Sequence, residues 1–257
     1  MPSTYFASRD AAHRYERFRP QVHDVVRRWL ADAGGAGPFR RALDVGCGTG
    51  HSMAPLLSIA ERVEGIDRSP EMVAIAAAKG LDAKVADLRD AEPGAYDLLT
   101  FCMSFHWLNR DDAVRWMAAA SAPGAVWLVY NFGFAGHRTD VAFNRWHRGA
   151  YHERFPSPGR GAECLVPSPD ERGIELLAHE SGDFDVRFSR DALIGYLTTQ
   201  SNVEAALAPD FGYADAERLI DATMPAVADP DRYVYGFEYS ICRFRGAGPS
   251  ARVAARP

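Results

Sequence analysis

The sequence predicts an α/β fold built on a mostly parallel sheet with helices on both faces. Three observations carry this expectation. Strand-like and helix-like segments alternate from residue 41 to residue 130, and such alternation implies right-handed crossovers between parallel strands. Tyr96 to Cys102 is apolar almost throughout, as a strand buried on both faces should be. A strand also runs directly into a turn with glycine at alternate positions, Gly46, Gly48 and Gly50, before a helical segment begins.

The chain opens with a helical cap over residues 1–33. Tyr15, Phe18, Val22, Val25, Val26 and Trp29 recur at steps of three and four, and Arg14, Arg17, Asp24, Arg27 and Arg28 take the opposite face. Pro20 suits the first turn of a second helix, and the glycines of 34–38 separate the cap from the first strand. Strands are then expected at 41–45 and 62–67, with a helix at 51–60 between them. Ser69-Pro70-Glu71 has the cap, the proline and the acid of a helix start. That helix runs to about Lys79 and stops at Gly80. Further strands are expected at 82–87, 96–102 and 125–130, with a helix at 111–120 and a Pro123-Gly124 turn.

The rhythm is lost over 131–182, which is rich in glycine, proline, histidine and aromatic residues. A helix near 139–151 and a loop over 155–169 suggest an inserted lid. A strand is expected at 184–188, helices at 191–200 and 214–222, and a last strand at 233–244. The Gly-, Pro-, Ala- and Arg-rich residues 246–257 read as a disordered tail. The whole chain is expected to form one domain with this cap and lid, both expected to loosen without a ligand.

Composition narrows the function. Of 257 residues, 47% are hydrophobic and 25% charged, and 29 basic against 34 acidic side chains leave a net charge of −5. A mildly acidic chain is a poor binder of phosphate backbones, so no nucleic-acid partner is expected. The apolar runs are too short to span a bilayer, and no basic-then-apolar leader opens the chain. Cys47, Cys102, Cys164 and Cys242 are scattered, which reads as free thiols in a reducing, cytoplasmic compartment. No metal is expected, because His147 and His152 have no further ligand near them in sequence. Oligomeric state is not legible.

The glycine turn carries the chemistry. Glycine permits positive φ and lets main chain lie against a ligand, and ligands of open parallel sheets sit beyond the carboxyl ends of the strands. The third glycine comes one residue too early for the dinucleotide pattern, since position 51 is His51, and no Lys-Ser/Thr pair succeeds it as in a phosphate loop. Asp67 and Asp87 close the next two strands. The first is placed to accept from both hydroxyls of a ribose and the second from an exocyclic amine. Acids at the mouth suit a cationic ligand.

Asp44-Val45-Gly46-Cys47-Gly48-Thr49-Gly50, with Asp67, Asp87 and Tyr96-Asp97-Leu98-Leu99, resembles the S-adenosylmethionine-dependent methyltransferases of the Rossmann-like class. Tyr15-Glu16-Arg17-Phe18-Arg19-Pro20, Ser104-Phe105-His106-Trp107 and Leu197-Thr198-Thr199-Gln200-Ser201 are similar to segments of small-molecule members akin to trans-aconitate methyltransferase. The resemblance implies a seven-stranded sheet with an antiparallel last strand. It implies that Gly46, Cys47, Gly48 and Gly50 approach the methionine part of S-adenosylmethionine, and that Asp44 fixes the turn or reaches the amino group through water. Asp67 and Arg68 would lie at the ribose, Met72, Asp87 and Leu88 around the adenine, and Cys102 and Met103 along the sulfonium.

His106 is the candidate base; Tyr15, Arg19, Trp107 and Tyr130 are candidate contacts for a small organic acceptor methylated on O or N, less readily on C. A hydrogen-bonded histidine and core aromatics are the plainer readings of the same residues. S-adenosylhomocysteine would be the product. The rival functions are a nicotinamide-dependent oxidoreductase on a related fold and a noncatalytic scaffold.

Overall fold

The computed structural model describes residues 6–246 apart from 36, 160, 162–163, 169–170 and 172. Among them, the strands β1 (Phe39–Val45), β2 (Ala60–Asp67), β3 (Asp82–Val85), β4 (Tyr96–Cys102), β5 (Ser121–His137), β6 (Ile174–Val186) and β7 (Tyr233–Phe244) form one sheet in the order β3-β2-β1-β4-β5-β7-β6. The pairings of β3 with β2, β2 with β1, β1 with β4 and β4 with β5 are all parallel. The last strand runs against its neighbours. Trp127 stacks on Phe244, whereas the Arg138 N–H donates to the Arg232 carbonyl, so numbers rise along β5 as they fall along β7. Likewise Gly173 receives the Arg245 N–H, while Phe184 meets Tyr235 across β6 and β7.

The helices are α1 (Arg9–Phe18), α2 (Val25–Asp32), α3 (Pro70–Ala78), α4 (Arg110–Ala120), α5 (Val141–Trp146), α6 (His152–Arg154), α7 (Arg190–Leu197), α8 (Ser201–Glu204) and α9 (Tyr213–Thr223). The described residues fall into two compact units. The glycine-turn unit takes 22–131, 161–181 and 238–246, and the helical unit takes 6–21, 132–159 and 182–237.

In the glycine-turn unit, Leu43, Val45, Leu99, Phe101, Trp127 and Val129 from the central strands bury one sheet face against Ala113, Met117 and Ala120 of α4. Burying a large apolar side chain contributes about 1.5–3 kcal/mol, so this cluster anchors the strands whose ends carry the site. Trp29 of α2 stacks on Tyr239 with ring centroids 4.4 Å apart and meets Tyr130 edge-on.

In the helical unit, Phe134, Phe143, Phe188, Tyr196 and Tyr233 form an aromatic cluster. The buried Arg19 donates from Nη2 to the Thr199 carbonyl at 2.6 Å and lies over the Tyr15 and Tyr196 rings. This packing gives α1 its anchor.

Several elements differ from the sequence expectation. Pro20 does not begin a helix; the second helix starts at Val25 behind Asp24. Arg19, which precedes Pro20, takes the extended backbone that proline imposes on the residue before it. Residues 51–59 form turns and a single 3-10 segment, Ala54–Ser58, with Pro55 in its first turn, instead of an α-helix, and Ala60 already belongs to β2. Helix α5 passes through a π turn, His147–Tyr151, before α6. Strand β5 runs on from Tyr130 to His137, and β6 begins at Ile174, so both ends of the expected 131–182 insertion belong to the sheet. The 247–257 part of the expected tail lies outside the described residues.

No helix among the described residues is long and apolar enough to cross a membrane. No group of three metal-ligating side chains is present among them either.

Candidate functional site

Parallel register brings four strand ends level. Val45 pairs with Ile66 and with Phe101, Asp67 pairs with Val85, and Cys102 pairs with Tyr130. The glycine turn, Asp67, Cys102 and Tyr130 therefore share the carboxyl edge of the sheet, within one unit.

The turn is built from backbone that only glycine adopts readily. Gly46, Gly48 and Gly50 have φ of 73°, 54° and 89°. A Cβ on Gly46 would stand 2.4 Å from the Ser104 Cβ, and one on Gly50 would stand 2.2 Å from the Leu81 Cδ1. The Gly46 and Cys47 N–H groups both donate to the Ile66 carbonyl, and Gly50 donates to the Cys47 carbonyl. Cys47 is buried, and burial together with the charges of Asp44 and Asp67 holds its thiol well above the usual range. It fills space here and is not a nucleophile.

Two carboxylates brace this turn in different ways. Asp44 is fully buried and accepts from the Ser52 hydroxyl at 2.5 Å and the Thr100 hydroxyl at 2.6 Å. Burial pushes its carboxyl up to about 6, against the pull of these two hydrogen bonds. Asp67 accepts the Gly48 N–H at 2.9 Å on one oxygen and the Ser69 N–H at 2.8 Å on the other. Burial raises its carboxyl too, opposed chiefly by the bonds from Ser69 and Gly48. An ionised carboxylate has about four acceptor sites; with the Arg68 N–H as a third backbone donor, Asp67 keeps capacity for one ligand hydroxyl.

The other expected residues occupy varied positions. Arg68 is exposed, 3.8 Å from Asp87. Asp87 caps the short turn Leu88–Asp90 and also pairs with Arg89, and Leu88 is buried beneath it. Met72 is buried at the start of α3. Met103 takes a φ of 52°, rare for a side chain of its kind, and its N–H donates to the Tyr130 carbonyl. Its neighbour Ser104 donates to the Val45 carbonyl at 2.6 Å. His106 is buried with Nδ1 3.3 Å from the Asn131 Oδ1, and its ring lies beside Trp107. Tyr15 and Arg19 belong to the helical unit, where the Thr199 carbonyl holds the Arg19 guanidinium.

One residue that sequence reasoning missed stands in the glycine-turn unit. His23, in the turn before α2, has Nδ1 3.3 Å from the Tyr130 hydroxyl and 3.7 Å from the Cys102 sulfur. No local pattern marks it; only the folded chain brings it to Cys102 and Tyr130.

This order of strands, with a reversed seventh strand and a glycine turn after the first, defines the Rossmann-like methyltransferase fold. Residues 42–124 match the family described as "Methyltransferase domain". It is similar to trans-aconitate 2-methyltransferase of Mycobacterium tuberculosis, 40% identical over 117 residues that make up 41% of this chain and 43% of that one. It is also similar to the ubiquinone biosynthesis O-methyltransferase of Burkholderia orbicola, 32% identical over 48% of this chain and 59% of that enzyme. The chain thus spans less than two thirds of the length of either relative. Among solved structures, a protein of Anaeromyxobacter dehalogenans assigned to the type II methyltransferases superposes with a TM-score of 0.60 at 24% identity, over 88% of this chain and 97% of that one.

Proposed function

We propose that this chain binds S-adenosylmethionine on its glycine turn and transfers the methyl group to an oxygen or nitrogen, less readily a carbon, of a small organic acceptor, with S-adenosylhomocysteine as product. The observation that carries the reading is the Asp67 carboxylate, fixed to Gly48 and Ser69 beside three positive-φ glycines. The relatives' own activities point the same way. The residues fit such a cofactor. The turn carries no side chain at Gly46, Gly48 and Gly50, and the Thr49 hydroxyl within it is buried with no hydrogen-bond partner among the described residues. The Asp67 carboxylate, bonded by three backbone N–H groups, keeps an acceptor site for a ribose hydroxyl.

When bound, the cofactor supplies a methyl group on a positively charged sulfur that departs as a neutral thioether. The chain's part is positioning and exclusion of water, and well-held geometry can supply about 7–11 kcal/mol of the barrier. In this reading Asp67 and Arg68 hold the ribose, and Met72, Asp87 and Leu88 frame the adenine. Asp44 stiffens the turn from below, while Gly46, Cys47, Gly48, Gly50, Cys102 and Met103 line the methionine and sulfonium. His106 is a base held beside Asn131, its Nδ1 3.3 Å from Oδ1. Trp107 and Tyr130 wall the acceptor.

The acceptor is read as a small molecule rather than nucleic acid or a membrane surface, and the compartment as cytoplasmic. Calorimetry with S-adenosylmethionine and with NAD tests the cofactor: binding of NAD alone favours an oxidoreductase, and binding of neither favours a scaffold. A labelled-methyl screen of carboxylic acids, phenols and amines tests the acceptor.

A further inference from the structure

We infer that Ser104 is a positioning residue of this site: its hydroxyl ties the chain beyond β4 to the last residue of β1 and so sets the place of the sulfur-bearing half of the cofactor. The inference rests on the methyl-transfer reading, in which Gly46 and Met103 line the sulfonium. Ser104 lies two residues past β4, at the start of the short 3-10 turn Phe105–Trp107. A serine in that position ordinarily turns its oxygen back to cap the N–H groups ahead of it. Here it makes no such bond. The hydroxyl crosses instead to the Val45 carbonyl, 59 residues away in sequence, and donates to it at 2.6 Å. A carbonyl can only accept, so the direction of this bond is fixed. The register of β1 on β4 ends at Val45 and Phe101, and the serine carries the tie beyond it.

The residues on either side of this bond are the ones it constrains. Met103, with its φ of 52°, holds left-handed backbone. A residue other than glycine stays there only where its surroundings over-determine it, and such residues gather at binding sites. Met103 is held from both sides: its own N–H donates to the Tyr130 carbonyl of β5 at 2.9 Å, and the next residue is fixed to Val45 of β1. It is only partly buried. On the other side, a Cβ at Gly46 would stand 2.4 Å from the Ser104 Cβ and 3.0 Å from its Oγ. Ser104 thus fills the space that the side chain missing from the glycine turn would take. Its carbonyl also accepts the Trp107 N–H at 3.1 Å, which starts the turn bearing His106. All of these residues belong to the glycine-turn unit.

Without the hydroxyl, the Val45 carbonyl loses this donor and Met103 has one tie fewer against its preference for ordinary backbone. The consequence is local. Asp67 keeps its bonds to Gly48 and Ser69, Met72 stays buried at the start of α3, and Asp87 still caps its own turn. The clamp therefore acts on the part of the ligand that carries sulfur and methionine, and leaves the ribose and adenine contacts alone. Geometry set in advance in this way lowers the ordering cost of binding.

The test compares the full wild-type chain with Ser104→Ala, which removes the hydroxyl and adds no atom, and Ser104→Cys, which keeps nearly the same size with a weak donor. Calorimetry measures S-adenosylhomocysteine. Displacement of that ligand measures adenosine, which has the ribose and adenine but neither sulfur nor methionine. Both variants are expected to bind S-adenosylhomocysteine about tenfold more weakly, the worth of one hydrogen bond, and adenosine within about twofold of wild type. S-adenosylhomocysteine bound as tightly as by wild type overturns the clamp. So does adenosine weakened by the same factor, which would mark a general loosening of the fold. If Ser104→Ala does not fold, Ser104→Cys decides by the same two constants. A wild-type chain that binds neither ligand sinks the methyl-transfer reading and the inference with it; a wild type that binds both, with the variants unaltered, sinks the inference alone.

Discussion

The Oδ2 of Asp67 accepts the backbone N–H of Gly48 at 2.9 Å, across 19 residues of chain. This bond ties the end of β2 to the middle of the glycine turn that succeeds β1. The same carboxylate that is proposed to grip the ribose therefore also shapes the loop that is proposed to receive the sulfonium.

Asp67→Ala is expected to weaken S-adenosylmethionine binding by roughly 10- to 100-fold, the worth of one charge-assisted hydrogen bond. Calorimetry reads this directly. An unchanged dissociation constant would remove Asp67 from the site.

Gly46→Ala is expected to cost about 2–4 kcal/mol of stability, from left-handed backbone and from forced contact with Ser104. Adding Ser104→Gly should recover only the contact part, because the φ of 73° remains. Urea unfolding of the single and double variants checks this; full recovery would show that backbone conformation contributes nothing.

Asp44 should make the fold sensitive to rising pH. Its carboxyl is raised by burial from 3.8 to about 6, so between those values the folded chain binds more protons than the unfolded one. The resulting stabilisation is present below about pH 4 and is lost as pH rises through 6, a swing of about 3 kcal/mol. Asp44→Asn, with the two hydroxyl partners retained, should flatten that part of the stability curve.

His147 should act in the opposite sense. Burial, aided by His152 and Arg148, lowers its imidazole from 6.5 to about 4. The folded chain then binds fewer protons than the unfolded one across that window. Stability is present above pH 6.5 and falls by about 3 kcal/mol as pH drops through 4. His147→Phe should remove this acid sensitivity, and an unaltered slope between pH 4 and 6.5 would show that His147 titrates alike in the folded and unfolded chains.

Arg19→Lys is expected to cost about 1–3 kcal/mol, although charge is conserved. Lysine cannot lie flat over the Tyr15 and Tyr196 rings while donating to the Thr199 carbonyl. A urea midpoint equal to wild type would show that the planar geometry is unimportant.

The sheet was legible where residues declare their own backbone. Gly46, Gly48 and Gly50 announce the turn, Ser69-Pro70 announces α3, and the apolar run of β4 announces a central strand. It was less legible where tertiary partners decide. Ser52 turns inward to Asp44 and Pro55 interrupts the backbone bonding, so the helix expected over 51–60 does not form. Strand β6 lies at the sheet edge with many exposed residues, including Glu180 and Asp183, and thus lacks the alternation that marks a half-buried strand. Gly133 and Gly136 hide the far end of β5. The acids and glycines of the site can be read from spacing along single strands. His23 cannot, because its partners at 102 and 130 are distant in sequence and nothing about a histidine after Arg19-Pro20 specifies them.

The stacking of Trp29 on Tyr239 joins an early helix to the strand that is made last. During synthesis the ribosome must add some two hundred residues before that indole meets its ring. Until then α2 has only part of its docking surface, the edge-on contact of Trp29 with Tyr130. A truncation that stops short of β7 therefore removes more than an inner strand of the sheet: it also takes from α2 the ring on which Trp29 stacks.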